Sequence, residues 1–127
     1  MKRTRKYFVL LFILTSSFVT LRSQVTNRIL FIFDDSYSMY APWSSSNSKI
    51  DVAKKVMAEF LDSLKNIPDL EIALRCYGHQ TYFRPTRDCK DTKLEVPFAP
   101  VKTNYLKVKQ RILKLDPTGT TPIAYSL

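Results

Sequence analysis

Five consecutive apolar residues, Ile29-Leu30-Phe31-Ile32-Phe33, follow Arg28 and stop abruptly at Asp34. The run mixes β-branched, aliphatic and aromatic side chains and shows no alternation with polar residues. A strand half-exposed to water would alternate, so this one reads as covered on both faces, as in a parallel sheet. Parallel neighbours need crossover connections, usually helical, and the rest of the chain is expected to supply them.

The following segments fit that demand. Tyr40 to Ser48 holds Pro42 and a serine cluster and reads as a loop. Ser48 with Asp51 three residues on has the form of a capping box, and Ile50, Ala53, Val56, Met57, Phe60, Leu61 and Leu64 then recur at helical spacing. Asn66 and Pro68 end this helix. Leu70 to Tyr77 alternates in its first half and predicts a strand closed by Gly78. Thr92 to Phe98 predicts a short edge strand, with Pro97 limiting its pairing. Thr103 is expected to cap a second amphipathic helix through Tyr105, Leu106, Val108, Ile112, Leu113 and Leu115, closed by Asp116-Pro117. Pro122 then opens a further helix at its first position. The order predicts an α/β fold, a Rossmann-like doubly wound sheet with helices on both faces.

The first 23 residues read as a secretory signal peptide: Lys2, Arg3, Arg5 and Lys6 form a basic region and Tyr7 to Leu14 an uncharged apolar one. Ser23 is small enough for the last position before a cut. The rival reading is an uncleaved membrane anchor, but Thr15-Ser16-Ser17 interrupts an apolar stretch already short of the roughly 20 residues that span a bilayer. No cysteine follows the apolar region, which excludes lipid attachment there. The expected destination is outside the cytoplasm, whether periplasmic, cell-surface or secreted.

The leader also explains much of the formal charge of +9. Five of the 20 basic residues, Lys2, Arg3, Arg5, Lys6 and Arg22, fall within it, so residues 24–127 carry 15 basic against 11 acidic residues, a net +4. Those charges are scattered on solvated helix faces, and nothing in them points to nucleic acid. Cys76 and Cys89 would close a short loop in an exported chain, and a disulfide is the preferred reading over two free thiols. Zinc is disfavoured because His79 is the only other soft ligand nearby, and His79 reads as a turn residue with no nucleophile beside it.

In an open parallel sheet, ligands bind beyond the carboxyl ends of the strands, which is where Asp34-Asp35-Ser36-Tyr37-Ser38 falls. One carboxylate and two hydroxyls at alternate positions can converge on a small hard cation, although an Asp-x-Ser-x-Ser by itself is also an ordinary turn. Asp35 and Tyr37 alternate with the three and are expected to point away, with Met39 packing beneath. A second segment, Pro117-Thr118-Gly119-Thr120-Thr121-Pro122, presents a threonine just before a helix. Trp43, in the neighbouring polar loop, either touches a partner or folds back onto the domain.

With these two loops the sequence resembles the von Willebrand factor A family over about residues 25 to 127, and specifically its metal-ion-dependent adhesion site. The resemblance implies that Ser36 and Ser38 ligate Mg²⁺, or another hard cation such as Mn²⁺ or Ca²⁺, that Asp34 acts mostly through water, and that Thr121 completes the set. It implies a binding module, not an enzyme, whose metal bridges to an acidic side chain of a protein partner. The family's later aspartate would lie beyond Leu127, so residues 24–127 are expected to be a partial domain, either a fragment of a longer protein or a reduced domain that completes its sheet with another chain. A fragment without metal function of its own is one alternative. A Mg²⁺-dependent aspartyl-phosphate phosphohydrolase using Asp34 is another, disfavoured because Ser36 stands where its general acid would be.

Overall fold

The computed structural model describes residues 26–85 and 87–127, so the expected leader and its cleavage point lie outside the described residues. Strand β1 runs Asn27–Asp34 and is followed by a 3-10 turn at Tyr37–Tyr40. Helix α1 spans Lys49–Leu64, strand β2 Leu70–Tyr77, strand β3 Thr92–Pro100, helix α2 Val101–Leu113, and a short helix α3 Ile123–Ser126.

Local chemistry sets the helix starts. The Ser48 hydroxyl accepts from the Asp51 N–H, and the Asp51 carboxylate accepts from the Ser48 N–H, so the capping box forms as expected. Thr103 does not cap α2: the helix begins two residues earlier, at Val101, directly after Pro100. Asn104, which is buried, secures it by donating from its amide to the carbonyls of Ile72 and Pro97 at 2.8 and 2.7 Å. These bonds tie α2 to both β2 and β3.

The sheet has the order β1-β2-β3. β1 and β2 are parallel, pairing Ile29 with Ile72, Phe31 with Leu74 and Phe33 with Cys76. β3 runs antiparallel to β2, and its register slips twice between Ile72 and Arg75. Pro97 lies opposite the first slip and has no N–H to offer the ladder, so a bulge absorbs the missing bond.

This is a mixed sheet, and it corrects the expected doubly wound, Rossmann-like architecture. The connection from β2 to β3 is a loop that returns to the same end, not a helical crossover, so β3 must run backwards. Phe31, Phe33, Ile72, Leu74, Cys76 and Val96 form one core with Leu61 and Leu64 of α1 and Val101, Val108 and Ile112 of α2. Both long helices therefore share one face. On the opposite face Leu30, Ile32, Leu94 and Phe98 remain exposed, so the apolar run in β1 is not covered on both sides among the described residues. Arg28 partly screens Phe98, its guanidinium lying 5.4 Å from the ring while bonding Glu71. None of the described helices is long and apolar enough to cross a membrane.

Candidate functional site

Three loops meet at the carboxyl ends of β1 and β2: residues 35–41, 78–91 and 114–122. Gly78 is the point where they touch. Its φ is +78°, and a Cβ there would come within 2.5 Å of the Thr120 carbonyl oxygen and 2.6 Å of the Ser36 Cα, so only glycine fits. The Gly78 carbonyl accepts from the N–H groups of Thr118 and Gly119, and the Gly119 carbonyl accepts from the Tyr37 N–H at 3.0 Å. Ser36 and Gly119 form an isolated parallel bridge.

Asp91 organises the second loop. It is buried, and its carboxylate accepts from the N–H groups of His79, Gln80 and Thr81 and from the Thr81 hydroxyl at 2.8 Å. Burial pushes its pKa up, but these donors outweigh burial and hold it below the usual carboxylate value. No local pattern in the sequence marks this role, because the first N–H that reaches the carboxylate, that of His79, lies 12 residues before it.

Beside it, Glu95 on β3 is a second hub. Its side chain is 5% exposed and takes His79 Nε2 at 2.7 Å, Arg111 Nε at 2.6 Å and Lys93 Nζ at 3.3 Å. Burial alone would raise its pKa, yet the bonds from Arg111 and His79 pull it down to about 2.

The structure brings Asp34, Ser36 and Ser38 together on one loop. The Ser36 N–H donates to Asp34 Oδ1 at 2.8 Å, and the Ser36 and Ser38 hydroxyls lie 3.1 Å apart. Thr121 is exposed, two residues past the Gly119 that pairs with Ser36, and its carbonyl accepts from the Ile123 N–H. Among the described residues no group of three or more His, Cys, Asp or Glu is placed to hold a metal ion. That corrects the expected Mg²⁺, Mn²⁺ or Ca²⁺ cofactor of the set Asp34, Ser36, Ser38 and Thr121. Asp34 is its sole carboxylate, one of whose oxygens bonds the loop backbone, while the two hydroxyls bond each other.

Asp35 lies between Asp34 and Ser36 in the same loop. It is fully buried, with neither carboxylate oxygen in good geometry to a donor. Burial pushes its pKa up to about 7, against the pull of Lys54; the Asp116 carboxylate raises it further and the Asp116 N–H lowers it. Lys54 itself donates to the Leu115 carbonyl at 2.6 Å, pinning the third loop to α1. Met39 packs against the core, as expected. Trp43 is exposed to solvent.

The expected disulfide does not form. Cys76 is buried on the core side of β2, Cys89 is exposed in the loop, and both are free thiols. Burial raises the Cys76 thiol to about 12.

Over the outer side of the three loops lies an open cleft of about 620 Å³, lined among others by Tyr37, Tyr40, Tyr82, Phe83, Arg84 and Asp116. Tyr37 and Phe83 are stacked, 6.0 Å apart and 12° from parallel, and Tyr40 stands edge-on to Tyr37 at 6.1 Å. The Tyr40 hydroxyl donates to Asp116 Oδ1, which raises its pKa to about 12.

No protein-family model matches the sequence, and no curated protein matches it either. Solved structures share its fold. The PilB minor pilin from Streptococcus sanguinis superposes with a TM-score of 0.59 at 18% identity, covering 80% of this chain and 25% of that one. A point mutant of the same pilin gives 0.60 at 17% identity, covering 84% and 26%. An uncharacterized membrane-spanning protein from Vibrio fischeri gives 0.55 at 15% identity, covering 79% and 45%. The chain thus spans about a quarter of the pilin's length and under half of the Vibrio protein's. These findings overturn the expected assignment to the von Willebrand factor A family and its adhesion site. The fold neighbours are a minor pilin and a membrane-spanning protein, no family model supports the assignment, and the metal-holding cluster is missing from the described residues.

Proposed function

We propose that the chain is an exported, surface-associated component of a pilus-type appendage that acts by contacting other proteins, not by catalysis. The observation that carries this reading is the shared fold with a minor pilin over 84% of the chain. Two features of the chain support it. The basic and then apolar start of the sequence suits export. The open sheet face of Leu30, Ile32, Leu94 and Phe98 offers apolar surface of the kind subunit contacts bury. Since the chain spans about a quarter of the pilin's length, the proposal concerns a shared module and not every activity of that protein.

The test is fractionation of cells that make the protein, with an antibody against residues 24–127. The chain is expected in the appendages sheared from the surface, with its amino terminus at Gln24. Recovery only from the cytoplasm, with Met1 retained, would overturn the proposal.

A further inference from the structure

We propose that the aromatic cleft above the loop junction binds a neutral saccharide. Single exposed aromatics are common on protein surfaces, but Tyr37, Tyr40 and Tyr82, which are 58%, 47% and 73% exposed, line one cleft. Its volume of about 620 Å³ suits a small ligand.

Phe83 and Tyr40 are held in place without a ligand. Phe83 is fixed by its N–H, which donates to the Thr118 carbonyl at 2.6 Å, and by the Arg87 guanidinium, 5.3 Å from its ring centroid. The hydrogen bond to Asp116 anchors Tyr40. Little ordering is then left for binding, which favours affinity from a small contact area.

The shape is a shelf and a wall: Tyr37 and Phe83 nearly parallel, Tyr40 turned 71° to Tyr37. A pyranose ring has a flat face of C–H groups that lies against an aromatic face, and a rim of hydroxyls that both donate and accept. The rim of this cleft supplies both complements, with donors on Arg84 and an acceptor in Asp116 Oδ2, while Oδ1 is held by Tyr40. An anionic ligand would meet the Asp116 carboxylate, and an apolar helix would leave Arg84 and Asp116 without matching groups. A neutral polyol ring with one apolar face satisfies all of them.

This inference goes beyond the appendage reading, because binding of free sugars does not depend on where the protein resides. The experiment is saturation-transfer NMR on the full chain with methyl β-galactoside, methyl α-glucoside, methyl α-mannoside and N-acetylglucosamine, and with a proline-rich decapeptide as competitor. Transfer to the ring C–H protons of at least one sugar is expected. Tyr37→Ala and Tyr82→Ala should each weaken it about tenfold, a loss of about 1.4 kcal/mol, while Leu106→Ala on α2 leaves it unchanged. Both tyrosines are exposed, and unchanged melting would show that the variants fold. Absence of transfer from all four sugars, transfer as strong in both tyrosine variants as in the wild type, or displacement of sugar by the peptide would each overturn the proposal.

Discussion

Replacing Glu95 by glutamine tests the electrostatic argument for the β3–α2 junction most sharply. The wild-type carboxylate is 5% exposed and bonded to Arg111, His79 and Lys93. Its pKa falls from 4.5 to about 2 on folding, a difference worth about 3 kcal/mol at 1.36 kcal/mol per unit. A depressed carboxylate pKa means that the unfolded chain binds the extra proton. The contribution is therefore complete above about pH 4.5 and is lost as pH falls toward 2. Glutamine keeps the shape but removes the charge, leaving Arg111 and His79 with weakened partners. Urea unfolding of both proteins between pH 2 and 7 gives the comparison. At pH 7 Glu95→Gln should be about 3 kcal/mol less stable, and the gap should close progressively below about pH 4.5. A gap under about 0.5 kcal/mol at pH 7, or one that does not change with pH, would mean that the Glu95 charge does not stabilise the junction.

Gly78→Ala places a Cβ 2.5 Å from the Thr120 carbonyl oxygen at a positive φ, so it should cost at least about 2 kcal/mol by chemical denaturation, and a near-neutral result would mean that the three loops do not meet there. Asp35→Asn should stabilise the protein above about pH 7, because an acid whose pKa rises from 3.8 to about 7 on folding loses stability as pH climbs between those values; a thermal melt at pH 8 no higher than wild type would count against the buried carboxylate. Cys89 should react with a thiol reagent in the native protein and Cys76 only after unfolding, given their exposure and the Cys76 pKa of about 12; a native protein in which no thiol titrates would contradict the free-thiol arrangement.

Much of the secondary structure is legible because its signals are local. Ser48 and Asp51 cap α1 within one turn, and the periodic apolar residues of both long helices supply core side chains such as Leu61, Leu64, Val108 and Ile112. The meeting of the Asp34–Ser38 loop with the loop through Gly119 is anticipated only through the family resemblance that joined the two segments. Strand direction is less local. Nothing in Thr92 to Pro100 says whether it runs with β2 or against it; the answer lies in a 78–91 connection that folds around Asp91 and returns to the same end. Glu95, His79 and Arg111 are separated by at least 16 residues in sequence between partners, so no spacing rule joins them.

The family reading fails for a related reason. Asp34, Ser36 and Ser38 sit together, but five residues of loop pattern do not establish a metal, and the same pattern closes on itself through the Ser36 N–H and the paired hydroxyls. The burial of Asp35 is likewise not legible from alternation. Beyond Asp34 the chain leaves the strand for the 3-10 turn at Tyr37–Tyr40, so the period of two that sends neighbours to opposite faces no longer applies.

The most direct test of the account is immunogold electron microscopy of surface appendages from cells carrying the gene and from a deletion strain. Labelling along or at the tips of appendages in the first and none in the second is the predicted result. Appendages that carry no label, while the protein is found inside the same cells, would contradict the proposal that this chain is an exported component of a pilus-type assembly.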